Sequence, residues 1–319
     1  MKKILLVSII IFAAAFTACT SSNQADGQIT VGILQMMEHP SLDLIRTSFI
    51  EEMHALGYTD IDFDHRNGIG ADMSALTSIA QIFVGNEVDL ILAIATPAAQ
   101  AAAATTSDIP VIFAASTDPL AAGLVDNLAR PSGNVTGTSD RICVESIFDF
   151  ALQLTPDIQT VGFVYNLGEV NSVSVINDAK VLFAQLGLQY REATVTNTGE
   201  VHQAALSLVG HVDAIFTPID NTVAAAMPTL AQVAMDAGIP VFTGADSKVM
   251  DGGLATVGID YGILGAETAR MVSRVLGGAD IADVPVITMA DFRTMVNRET
   301  AEAIGVSIAG LGSYVEIYP

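Results

Sequence analysis

Positive charge is scarce in this chain. Thirteen lysines and arginines stand against 35 aspartates and glutamates, giving a formal net charge of −22, and no basic cluster follows Lys2 and Lys3. Phosphate recognition needs concentrated cations, so no nucleic-acid partner is expected. Cysteine is equally sparse: with only Cys19 and Cys143 present, modification of the first leaves the second unable to form an intrachain disulfide. Cys143 reads as a small buried hydrophobe. The histidines His39, His54, His65, His202 and His211 include no pair at zinc-ligand spacing, so neither a metal nor a cofactor is expected. There is no G-x-S-x-G elbow, and Gly68 and Gly70 of NGIGAD lack the spacing of a dinucleotide fingerprint. Enzyme chemistry is therefore not the expected role, although aspartates at strand ends keep an acid–base capacity. Tryptophan is absent.

Apolar residues are plentiful. Half of the 319 residues are hydrophobic and 15% are charged, enough for two cores, and a chain of this length exceeds what one core usually holds. The N-terminus has an export layout: Lys2 and Lys3, an apolar run from Ile4 to Phe16, then Thr17-Ala18-Cys19 and the polar stretch TSSNQADGQ. The run is too short for a good membrane span. Cys19 stands where bacterial lipoprotein signals place the lipidated cysteine, so residues 1–18 are expected to be a signal peptide and 19–28 a lipidated tether.

Beyond the tether, strand and helix patterns alternate. Strands are expected at Ile29–Leu34, Ile61–Arg66, Leu90–Ala95 and Ile109–Ala115, separated by helices Ser41–Leu56, Met73–Val84 and Ala98–Ala104. Ser116-Thr117-Asp118 follows the fourth strand, with Asp118 placed to cap a further helix and Pro119 suited to its first position. The turn-rich segment ARPSGNVTGTSD then leads to a second run of the same rhythm, from helix Val144–Leu154 to strand Ile239–Phe242, and Leu254–Ile259 appears as a further strand. This pattern predicts an α/β chain of two doubly wound parallel-sheet lobes joined by three crossover segments, near Val135–Thr138, Thr256–Asp260 and Pro285–Met289. Lobe 1 is expected to comprise 29–137 plus 259–285, and lobe 2 138–258 plus 286–319.

Seven segments, in order along the chain, carry a resemblance: GILQMMEHPSLD (Gly32–Asp43), IPVIFAASTDPLAAGLV (Ile109–Val125), RPSGNVTGTSD (Arg130–Asp140), VGFVYNLGEVNS (Val161–Ser172), FTPIDNTV (Phe216–Val223), GGLATVGIDYGILG (Gly252–Gly265) and VNRETAEAIGV (Val296–Val306). Together they resemble the ABC-transporter substrate-binding lipoproteins of the tryptophan/tyrosine-binding type, which have the type I periplasmic binding protein fold. The resemblance implies an extracytoplasmic receptor with a small-molecule ligand in the cleft between two closing lobes, an ABC permease and ATPase as partners, and a membrane anchor through the N-terminal lipid. A signalling or chemotaxis receptor of the same fold, or one for a solute other than an amino acid, is the alternative.

In such sheets ligands bind beyond the carboxyl ends of the strands. Thr96, Ser116 and Thr117 in lobe 1 offer hydroxyls and helix-start N–H groups suited to a ligand carboxylate. Asp220 and Asp246 in lobe 2 are placed to take an ammonium group, and Asn166 and Asn221 can donate and accept. Glu38 and His39 follow the first strand and can close over the ligand side chain, with Met36 or Met37 as soft apolar contacts. Asp118, Ser139, Asp140, Ser172 and Asp260 complete the candidate set. Thr96, Asp118, Asp220 and Asn171 are equally placed to act as helix caps.

Overall fold

The computed structural model describes residues 28–68 and 72–319. The expected signal peptide, Cys19 and nearly all of the tether lie outside the described residues. The first lobe begins with β1 (Thr30–Gln35), α1 (Pro40–Ala55), β2 (Asp62–Asn67), α2 (Met73–Gly85), β3 (Leu90–Ile94), α3 (Thr96–Thr105), β4 (Val111–Ala114) and β5 (Val135–Ser139). The second runs through α4 (Val144–Leu154), β6 (Thr160–Asn166), α5 (Val170–Leu186), β7 (Gln189–Val195), α6 (Val201–Leu208), β8 (Ala214–Thr217), α7 (Asn221–Ala225), α8 (Met227–Asp236), β9 (Val241–Thr243), α9 (Asp246–Met250) and β10 (Ala255–Ile259). The chain then returns to the first lobe for α10 (Tyr261–Leu276) and β11 (Ile287–Thr288), and ends in the second with β12 (Phe292–Asn297), α11 (Arg298–Ile304) and β13 (Val315–Tyr318).

The strand order is β11-β5-β4-β3-β1-β2 in the first sheet and β13-β12-β10-β9-β8-β6-β7 in the second. Every pairing in the first sheet is parallel. Its central strand β3, Leu-Ile-Leu-Ala-Ile, is buried throughout, as a strand covered on both faces must be. Helix α10 belongs to this lobe because Tyr261, Leu264, Met271 and Val272 enter the first core. A Cβ at Gly265 would stand 2.4 Å from the Ile45 carbonyl oxygen, so glycine is what lets α10 approach α1 this closely.

The two lobes and three crossings stand as expected, and several details differ. The first crossing lies after Ser139, not at Val135–Thr138, which is inside β5 and pairs with β4 from Val111↔Val135 to Ala114↔Thr138. Its threonines are tolerated in a buried strand because Thr136 donates to the Val284 carbonyl at 2.7 Å and Thr138 bonds the Thr268 hydroxyl at 2.8 Å. The other crossings fall between β10 and α10 and between β11 and β12. No helix follows Asp118. The chain turns instead, with Asp118 Oδ1 accepting from the Ala121 N–H at 3.0 Å and Gly123 at φ +69° breaking any helical continuation. Helix α9 and strands β12 and β13 were not anticipated, and β12 runs antiparallel to β10 in an otherwise parallel stretch of sheet.

Candidate functional site: the cleft between the lobes

The carboxyl ends of the strands of both lobes face one another across a cleft that holds about 450 Å³ of empty space, part of it continuous with solvent. On the first-lobe side, β3 and β4 are each followed directly by an alanine at positive φ: Ala95 at 78° and Ala115 at 59°. Such a backbone costs on the order of 1 kcal/mol for a residue with a Cβ, and both alanines line the cleft, where strain of this kind collects. After Ala95 the chain enters α3, so Thr96 stands at the cleft with its hydroxyl 3.3 Å from that of Ser116. Thr117 donates its hydroxyl to Asp140 Oδ1 at 2.9 Å, and Tyr261, the first residue of α10, donates to Asp140 Oδ2 at 3.2 Å. Burial pushes the Asp140 carboxyl up to about 6, against the pull of those two donors.

The second-lobe side is a network of buried charge. Asp220 caps α7 through the Val223 N–H at 2.7 Å, and its other oxygen accepts from the Asn166 N–H at 2.6 Å and the Ser172 hydroxyl at 2.7 Å. Glu169 accepts from the backbone N–H of Asn221 and of Thr222, both at 2.9 Å, and from their side chains at 2.7 and 2.8 Å. Lys248, in α9, donates to the Pro218 carbonyl at 2.5 Å and to the Thr217 hydroxyl at 3.2 Å. Burial lowers its ammonium to about 8, opposed by the charges of Asp220 and Glu169. Burial, then the charge of Glu169, raises Asp220 to about 6. His39 is lowered to about 4, by burial first and the nearby Lys248 charge second, and so is neutral at pH 7. Two buried atoms in this site have no hydrogen-bond partner among the described residues, His39 Nε2 and Asn171 Oδ1. The amide nitrogen of Asn171 faces the Ile219 carbonyl at 2.8 Å, which fixes the amide orientation and leaves its oxygen to the cleft.

Of the expected site residues, His39, Thr96, Thr117, Asp140, Asp220 and Asn221 line the cleft. The others do not. Glu38 is exposed, and Met36 is buried in the first core. Ser116 lies behind Thr96, and Ser139 donates to the Thr117 carbonyl. Asn166 and Ser172 hold Thr222 and Asp220 in place from behind. Asp246 accepts from the Ser247 N–H; its carboxyl is raised by burial and sits in the field of Arg293 and Asp260 instead of in the cleft. Asp260 caps α10 through the Gly262 and Ile263 N–H groups. The lining also includes Lys248, Tyr261, Leu42 and Ile219, none of them anticipated as site residues. Lys248 did carry a signal: the only other lysines are Lys2, Lys3 and Lys180, and it follows a strand end by one helical turn.

Asp118 bridges the lobes. Its Oδ2 accepts from Ser174 of α5 at 2.5 Å and from Arg141, in the first crossing, at 3.0 Å, and Arg141 also pairs with Asp178 of α5 at 2.5 Å. Burial acts upward on Asp118, but the Ala121 N–H, Ser174 and Arg141 together hold it below the ordinary carboxylate range. On the other side of the opening the Ser41 hydroxyl meets that of Ser247 at 2.8 Å. These contacts exist only while the lobes are together. Asp118→Ala is expected to speed ligand release about three- to tenfold in stopped-flow measurements, about 1 kcal/mol of closed-state stabilisation for partly exposed pairs; an unchanged release rate would show that the bridge does not hold the lobes.

Two doubly wound lobes, three crossings and a polar cleft at the strand ends define a two-lobed solute receptor of the type I periplasmic binding protein fold. A family model described as ABC transporter substrate binding protein matches residues 30–310. The tyrosine-binding protein of Clostridioides difficile (strain R20291) is 35% identical, with 95% of this chain and 92% of that protein covered. Among solved structures, the ABC domain in complex with L-Trp from Streptococcus pneumonia superposes with a TM-score of 0.86 at 36% identity, over 89% of this chain and 97% of that one. A ligand-free, open substrate-binding protein with adhesive properties from Clostridium difficile gives 0.71 at 37% identity, over 91% and 99%. The chain belongs to the ABC transporter substrate-binding protein family, and its relatives include tyrosine- and tryptophan-binding members.

Proposed function

We propose that this protein captures an amino acid with an aromatic side chain between its lobes, outside the cytoplasm, and presents it to an ABC permease and its ATPase, held at the membrane by a lipid on Cys19. The observation that carries the ligand class is a cleft with fully buried charges of both signs, Asp140 and Lys248, each 1% exposed, set among apolar walls that include Leu42, Ile219, Ala224 and Tyr261. A solute carrying both charges and an apolar body matches that lining, and exclusion of water on closure strengthens each polar contact. The ligands of the relatives, tyrosine and L-Trp, support the aromatic side chain.

A thermal-shift screen across amino acids, sugars and polyamines tests the reading. Tyrosine, tryptophan or phenylalanine should raise the melting temperature the most, with a shift that grows with ligand concentration. Stabilisation by sugars alone would replace the amino acid with another solute while leaving the receptor intact.

A further inference from the structure

We propose that the bound amino acid lies with its carboxylate on Lys248 of the second lobe and its ammonium on Asp140 of the first. The assignment rests on the amino-acid reading above and reverses the polarity expected from the sequence. It follows from which groups in the cleft still have capacity for a partner.

Lys248 carries three donors and uses two, on the Thr217 hydroxyl and the Pro218 carbonyl; among the described residues no carboxylate oxygen lies within 4.0 Å of its nitrogen. The acids nearest to it in the second lobe are already occupied. Asp220 accepts from Val223, Asn166 and Ser172, and Glu169 from both Asn221 and Thr222. Those acids offset the lysine's charge at a distance, yet leave its remaining N–H unmet. Asn171 presents an acceptor to the cleft and takes no part in holding an anion.

Asp140 is in the converse position. It accepts from two neutral hydroxyls, on Thr117 and Tyr261, while a carboxylate has about four acceptor sites, and among the described residues no cation is paired with it. A ligand carboxylate on the first-lobe turns would stand beside this charge. Those turns are also poorer in donors than the sequence suggested: the Thr117 hydroxyl is committed to Asp140, and Pro97 removes an N–H from the first turn of α3. Asp140, raised only to about 6, stays ionised at pH 7, and Lys248, lowered only to about 8, stays protonated. Two buried charges thus face the cleft without a direct counter-ion, which is unfavourable until a ligand with the opposite charge at each end arrives.

The test is isothermal titration of the wild type, Lys248→Met and Asp140→Asn with L-tyrosine, with tyramine, which lacks the carboxylate, and with 3-(4-hydroxyphenyl)propanoate, which lacks the ammonium. L-tryptophan, tryptamine and 3-indolepropanoate form a parallel set. The wild type should prefer each amino acid to both of its analogues. Lys248→Met should weaken amino-acid binding on the order of 100-fold and leave the amine analogue nearly unaffected; Asp140→Asn should spare the acid analogue instead. Lys248→Gln makes the same comparison if the methionine variant does not fold. An exchanged pattern, or equal losses for all three ligands, overturns the polarity while the amino-acid reading stands. No binding of either amino acid by the wild type overturns both.

Discussion

Glu169→Ala will lower the melting temperature by about 6–20 °C and abolish measurable ligand binding. The carboxylate is 5% exposed and holds the start of α7 from outside that helix, through the backbone and side chains of Asn221 and Thr222. Deleting it strands four buried donors, and a buried charged network broken on one side costs about 3–5 kcal/mol. At about 2–4 °C per kcal/mol for a chain of this size, that becomes the stated shift. Binding falls with it because Asn221 and Asp220, which flank the loosened turn, line the cleft. A differential scanning trace and a titration on one preparation report both effects. A variant melting within about 2 °C of wild type would show that Thr222 and Asn221 find other acceptors.

Gly137→Val will prevent the protein from accumulating in a folded form. A Cβ at this position would lie 2.1 Å from the Phe113 carbonyl oxygen and 2.4 Å from its ring. Both residues sit in paired, buried strands at Phe113↔Gly137, so neither backbone can retreat without breaking the sheet. Overpacking of this kind normally costs about 1–3 kcal/mol, and a clash against fixed backbone belongs to the rarer class above about 4 kcal/mol. Gly123→Ala is the contrast. Its Cβ would meet nothing within 4 Å, and only the positive φ of 69° opposes it. It should express normally and lose about 1 kcal/mol. Soluble Gly137→Val with a wild-type melting temperature would contradict the packing described for β4 and β5.

The lobes were legible in the sequence because a parallel strand buried on both faces has no alternation to disguise: Leu90–Ile94 and Val111–Ala114 read as short apolar runs between helices, and so they are. Val135–Ser139 was not legible as a strand. Its glycine and threonines imitate a linker, and what makes them a strand is distant, the hydroxyl partners at Val284 and Thr268 and the close approach to Phe113. In the cleft, residues immediately after strand ends were found by position, Thr96 and Thr117 among them. The same rule selected Asp246, which faces away, and passed over Lys248 two residues later, because the direction of a side chain in a short helix such as α9 is set by its neighbours. Asp220 lines the cleft, and its oxygens accept hydrogen bonds from Asn166, Ser172 and Val223 of its own lobe, partners that its position after a strand does not reveal. Tyr261 was beyond reach for a different reason, since its contact with Asp140 exists only once the chain has crossed back between the lobes.

The most direct test of the account is the electron density of the protein crystallised with L-tyrosine or L-tryptophan. It predicts one amino acid enclosed between the lobes, with Asp140 on one side and Lys248 on the other, and Asp118 still bonded to Ser174. An amino acid bound elsewhere on the surface, with the lobes apart and the space between Thr117 and Lys248 filled only by water, would contradict it.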